Sequence, residues 1–107
     1  MDTDCVLVFT TLGASANVQA FATTLVTERL AACVNVLGTI DSVYRWKGAV
    51  ESEREQQLLI KTTADRISAL EIRLHELHSY EVPEFLVLPI VGGSERYLGW
   101  VRESTVT

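Results

Sequence analysis

The sequence predicts an α+β domain of the ferredoxin-like kind: a β-α-β-β-α-β antiparallel sheet with two helices on one face, a long central hairpin and an extra C-terminal helix. Three observations carry this. Short apolar, β-branched runs alternate with segments of helical periodicity. The two middle runs flank a bare Lys47-Gly48 turn, which makes them hairpin partners. A chain of 107 residues also has room for a single core, hence one domain over 1–107.

Val6-Leu7-Val8-Phe9-Thr10-Thr11 reads as a buried first strand, broken by Gly13. Ser15 is placed to cap the helix that follows. Val18, Phe21, Ala22 and Leu25 keep the apolar stripe of that helix, which should end near Leu30. Ala32 to Leu37 begins the second strand. Gly38 is expected to bend it, and Ile40 to Trp46 resumes it with Ile40, Ser42, Tyr44 and Trp46 on one side. The third strand runs from about Ala49 to Thr62, buried at Leu58-Leu59-Ile60, with the charged stretch Glu51 to Glu55 expected in solvent. Thr63 is a cap candidate for a second helix whose face is marked by Ile67, Leu70, Leu74 and Leu77. Pro83 forbids its continuation. Phe85 to Leu88 is a fourth strand, and Pro89 puts it near an edge. Gly92-Gly93 turns the chain, and Ser94 caps a last helix holding Tyr97, Leu98, Trp100 and Val101.

In this topology the first strand is central and the second lies at an edge, with the third between Cys5 and Cys33. Two strand spacings of ~4.8 Å exceed a disulfide's reach, so both cysteines are expected as free thiols. Each arm of the hairpin can reach ~14 residues, about 45 Å, more than two helices can cover. Its protruding part must meet water or pair with another subunit by edge addition. An apolar share of 48% and a positive mean hydropathy point the same way, to an oligomer.

Nine Lys and Arg against 14 Asp and Glu give a net charge of −5, without any basic cluster. Nucleic acid and anionic membrane are therefore poor partners. The start Met1-Asp2-Thr3-Asp4 is acidic, unlike a secretory signal, and no apolar run approaches the ~20 residues of a membrane helix. A cytoplasmic protein is expected.

No GxSxG, GxGxxG or GxxxxGK[ST] occurs, and the first loop, Leu12 to Asn17, has no Arg of the kind acylphosphatases place there on this fold. No enzyme is expected. His75 and His78 stand near the end of the second helix. Glu71 and His78 lie side by side, flanking the apolar stripe. Imidazole and carboxylate suit Cu(II) or Zn(II), yet two ligands on one helix do not close a site, and a solvated helix end is the plainer account of both histidines. Trp46 on an exposed hairpin needs cover, from another subunit or from a ligand in a cleft. Glu81 and Glu84 flank Pro83 in a loop that either presents paired carboxylates or simply meets water.

The strings Glu28-Arg29-Leu30-Ala31-Ala32-Cys33-Val34-Asn35, Ser42-Val43-Tyr44-Arg45-Trp46-Lys47-Gly48, Leu59-Ile60-Lys61-Thr62, His78-Ser79-Tyr80-Glu81-Val82-Pro83-Glu84 and Tyr97-Leu98-Gly99-Trp100 closely resemble, in this order, the CutA family of divalent-cation tolerance proteins. The resemblance runs from about Val6 to Val101. It implies a tight homotrimer built by edge-strand pairing of the central hairpins. It implies a link to tolerance of copper and other divalent cations, with copper or another divalent cation the only cofactor to expect, and no established catalytic activity. It also implies trimer clefts for a small ligand, lined by residues matching Tyr44, Trp46, Lys61, Tyr80 and Glu84, and it makes His78 a candidate metal ligand. Some bacterial members carry Cys at the position of Thr10 and His at that of Leu77 as further proposed copper ligands. A hydroxyl and a leucine do not replace them. Ser79 stands where proline is common, which loosens that turn. Two other readings compete. One is a trimeric small-molecule sensor of the PII kind, which shares fold and symmetry but carries a long flexible loop where this chain has Lys47-Gly48. The other is a structural or scaffolding trimer.

Overall fold

A computed structural model of the chain describes residues 3–107; Met1 and Asp2 of the acidic start lie outside the described residues. Strand β1 (Cys5–Gly13) leads into helix α1 (Val18–Thr27), then the strands β2 (Cys33–Trp46) and β3 (Ala49–Thr63) and a 3-10 turn (Ala64–Arg66). Helix α2 (Ile67–Leu77), strand β4 (Leu86–Pro89) and helix α3 (Glu95–Thr105) complete the chain. One antiparallel sheet has the order β2-β3-β1-β4, the ferredoxin-like arrangement expected from the pattern. Cys5 pairs with Thr63 and Cys33 with Lys61, so β3 separates two free thiols.

The period of two decides which β1 side chains meet the helices. Val6, Val8 and Leu12 do, joining Leu58 and Ile60 of β3, Leu25 of α1, and Leu70 and Leu74 of α2 in one core. Truncating a fully buried Leu such as Leu25 or Leu74 to Ala should cost ~2–5 kcal/mol. Helix α3 covers part of the opposite face, where Leu98 and Val101 pack on Cys5 and Ala32. Leu86, Leu88, Tyr97 and Trp100 remain exposed around it.

Helix α1 begins later than its sequence predicts. The Ala16 N–H donates to Gly13 O over 3.0 Å, which draws Ser15 into a turn. Asn17 is the cap instead, its Oδ1 accepting from the Ala20 N–H at 3.0 Å. The helix also stops at Thr27 rather than Leu30. Arg29 adopts a left-handed φ of 61°, and the Leu30 N–H returns to Leu25 O at 3.0 Å. This is a Schellman end, closed by the Leu30–Leu25 apolar contact. Thr63 makes no side-chain cap; its hydroxyl donates to Asp65 Oδ1 at the 3-10 turn. Ser94 does cap α3, accepting from the Tyr97 N–H.

The hairpin arms have 14 and 15 residues and stretch the molecule to 44 Å. Lys47 (φ 49°) and Gly48 (φ 83°) are both left-handed, the geometry that matches strand twist in a two-residue turn. The bend expected at Gly38 is a β-bulge. Val36 pairs with Leu58 but Gly38 with Gln57, leaving Leu37 as the extra residue, and Gly38 takes φ 117°. The bulge reverses the pleat. Without it Tyr44 and Trp46 would share the helix-facing side of Val34 and Val36; with it they share the side of Glu51, Glu53 and Glu55.

A carboxylate-lined cleft as the candidate functional site

Alternation along β3 puts Glu51, Glu53 and Glu55 on one face, opposite Tyr44, Ser42 and Ile40 of β2. The segment after α2 folds over this face. Its anchor is His78. The Tyr80 N–H donates to His78 Nδ1 at 3.1 Å, so Nδ1 accepts, and Nε2 lies 2.6 Å from the Thr11 carbonyl, to which it donates. These partners match the tautomer with its hydrogen on Nε2.

Tyr80 tilts against the His78 ring at a centroid distance of 4.6 Å. Its hydroxyl donates to Glu55 Oε2 at 2.8 Å, and the Thr11 hydroxyl donates to the same oxygen at 3.1 Å. Gln57 Nε2 donates to Thr10 O at 2.9 Å and to Glu84 Oε2 at 3.3 Å, tying down the far end of the segment. At the hairpin tip Lys47 Nζ sits 3.8 Å from Glu81. Between hairpin and loop these contacts leave a cavity of about 580 Å³ lined by five glutamates: Glu51, Glu53, Glu55, Glu81 and Glu84. A smaller depression of about 290 Å³ beside α1 has no titratable lining residue.

The negative field acts on the phenols. The Tyr44 pKa is pushed up to about 12, chiefly by hydrogen bonding to Glu53, then by loss of solvent and by the charges of Glu53, Glu51 and Glu55. Tyr80 is raised further, first by burial, then by its hydrogen bond to Glu55 and by the surrounding negative charge. Both hydroxyls are neutral at physiological pH, and that of Tyr80 donates to Glu55.

Of the residues matched to the small-ligand cleft, Tyr44, Trp46, Tyr80 and Glu84 come together here. Lys61 does not. It lies six positions along β3 from Glu55, about 20 Å away, with Nζ 3.3 Å from Tyr97 Oη. His78 stands behind the cleft with both ring nitrogens occupied by backbone groups. A metal ion would have to displace one of them. Thr10 is fully buried and Leu77 lines the apolar depression, so neither supplies a ligand beside it. The expectation that Glu51 to Glu55 is wholly solvated fails at Glu55, which keeps 8% exposure because Tyr80 and Thr11 close over it. Glu51, Glu53, Glu55 and Thr11 are site residues that the sequence reading did not single out. The Glu-x-Glu-x-Glu spacing was the available signal, since alternate residues of a strand share a face.

Fold and cleft together define a ferredoxin-like domain with an acidic groove along a two-stranded arm. The model of one family, the CutA1 divalent ion tolerance protein, matches residues 6–104, and the chain belongs to that family. The divalent-cation tolerance protein CutA of Thermus thermophilus is 47% identical over 87 residues, covering 81% of this chain and 84% of that relative. The chloroplastic protein CutA of Arabidopsis thaliana is 45% identical over 87 residues, 81% of this chain but 48% of the plant protein, so the chain spans about half the length of that relative. The crystal structure of CutA from Xylella fastidiosa superposes with a TM-score of 0.92 at 38% identity, covering 97% of this chain and 100% of that one. The family's description and the name of the Thermus thermophilus relative refer to divalent-cation tolerance.

Proposed function

We propose that the chain acts in divalent-cation tolerance as a homotrimer that holds cations in this cleft through oxygen donors, without catalysing a reaction. The observation that carries the cation reading is the Glu51–Glu53–Glu55 row in one cavity with Glu81 and Glu84, where Lys47, at the hairpin tip beside Glu81 and Trp46, is the one basic side chain the contacts bring near among the described residues. Carboxylates and hydroxyls suit hard cations of the Mg²⁺ and Mn²⁺ type, which keep several waters and need only one or two protein carboxylates. Copper prefers imidazole and thiolate. The ring nitrogens of His78 are engaged and Cys5 is buried under α3, which weighs against a copper site within one subunit.

The trimer is supported by the exposed apolar sheet face and by the arm, where Val43 and Val50 are 71% and 68% exposed on edge-accessible strands. The two-residue Lys47-Gly48 turn leaves no long loop for a PII-like sensor. A cytoplasmic setting belongs to the same reading and is supported by the two free thiols. Relatives are named chloroplastic and periplasmic, so cell fractionation decides it.

The test is calorimetric titration of the tag-free protein with Mn²⁺ and, separately, Cu²⁺. Mn²⁺ binding should weaken several-fold in Glu53→Gln, which lines the cleft, and stay unchanged in Glu103→Gln, an exposed residue outside it. Sub-micromolar Cu²⁺ binding that disappears in His78→Ala would overturn the oxygen-donor reading.

A further inference from the structure

The glutamate row is ill-spaced for chelating a single ion. Alternate side chains of a strand stand about 7 Å apart, whereas a hard divalent cation draws its ligands to about 2.0–2.6 Å. Among the described residues no group of three or more His, Cys, Asp or Glu is placed to hold a metal ion. A cavity of about 580 Å³ is also far larger than an ion requires and falls in the range of organic-ligand pockets.

Two further features speak for an organic cation. Tyr44 and Trp46 stand beside the row on the neighbouring strand and Tyr80 enters from the loop, so aromatic surface lies next to carboxylate along the cleft. Aromatic faces attract ammonium groups and cover alkyl chains. Glu55, 8% exposed, has no cationic partner within 4 Å among the described residues. Its Oε2 takes both hydroxyl hydrogen bonds, and among the described residues Oε1 takes none. A buried carboxylate is ordinarily paired with a cation, and Glu55, which has none among the described residues, is one of the residues that line the cleft.

We propose that the cleft binds an extended organic polycation, a linear aliphatic polyamine, with successive amines paired to Glu51, Glu53 and Glu55 and the methylenes laid along Trp46, Tyr44 and Tyr80. The inference rests on reading the cleft as a cation site and names the ligand class. Amines separated by three or four methylenes lie about 5–6 Å apart by ordinary bond lengths, within reach of carboxylates that pivot about their χ angles. A hydrated divalent cation then meets the same carboxylates as a weaker competitor.

The experiment titrates the full chain with spermidine and, separately, with Mg²⁺, at about 0.1 M salt so that diffuse attraction is screened. Glu53→Gln, Trp46→Ala, Trp46→Leu and the distant surface control Glu103→Gln are run alongside. Saturable spermidine binding at least tenfold tighter than Mg²⁺, weakened at least fivefold by Glu53→Gln and by either Trp46 variant but not by Glu103→Gln, is the expected result. Trp46→Leu keeps apolar bulk in the arm, so it decides the matter if Trp46→Ala does not fold. Equal binding of spermidine and Mg²⁺, or indifference to the loss of the Trp46 ring, overturns the polyamine assignment and leaves the cation site standing. No binding of either cation overturns both.

Discussion

The Tyr80 hydroxyl reaches across 25 residues of sequence to donate to Glu55 Oε2 at 2.8 Å, and this bond ties the segment after α2 to the glutamate row of β3. Tyr80→Phe removes the donor but leaves the carboxylate buried. A hydrogen bond to a charged group contributes ~1.5–3 kcal/mol, and the remaining Thr11 bond should hold the loss near the lower figure. Urea denaturation is expected to show a lower midpoint with an unchanged slope. An unaltered midpoint would mean that this bond does not hold the loop.

Tyr44 provides a spectroscopic reading of the cleft's field. With its pKa at about 12, it should ionise later than an ordinary tyrosine near 10 in an absorbance titration at alkaline pH. Glu53→Gln removes the leading cause and should bring the titration back toward 10. The folded state holds this proton more tightly than the unfolded chain does. Its contribution to stability is therefore complete below about pH 10 and is lost as pH rises through about 12. A Tyr44 titration unmoved by Glu53→Gln would contradict the assigned contact.

Much of the fold was legible because local chemistry and global placement agree. The apolar stripe of α2, the Lys47-Gly48 turn and the Ser94 cap are each decided within a few residues. The cleft was legible only in part. Glu55 sits in a string that looks solvated, and its burial comes from Tyr80 and Thr11, remote in sequence. The shared side of Tyr44 and Trp46 followed from alternation, but which face of the sheet they take depends on the Leu37 bulge. His78 was legible as a residue with ligand chemistry. The backbone groups that occupy both its nitrogens leave no trace in residue types.

The displaced cap of α1 gives a direct test of the local structure. Asn17 Oδ1 satisfies the Ala20 N–H, one of the donors left open at a helix start. Asn17→Ala should cost ~1 kcal/mol, while Ser15→Ala should be nearly neutral because Ser15 makes no side-chain cap bond to α1. Chemical denaturation of the two variants distinguishes the positions. A larger loss for Ser15→Ala would reverse the assignment.

The arm supplies the test of assembly. Val43 lies on the edge strand β2, paired with Ser52 on one side and open on the other, and Val50 pairs with Arg45 near the tip. Proline at either position removes a backbone donor and distorts the strand that the trimer would use for edge pairing. The core around Val8, Leu25, Leu58 and Leu74 is remote from both positions, so the secondary structure seen by circular dichroism should persist. Sedimentation should then report one-third of the wild-type mass for Val43→Pro and Val50→Pro. The released subunit should bind a hydrophobic dye through Leu86, Leu88 and Trp100, which are exposed in the single chain. Intact trimers for both variants would sink edge pairing as the basis of assembly, and a monomeric wild-type protein would remove the trimer itself.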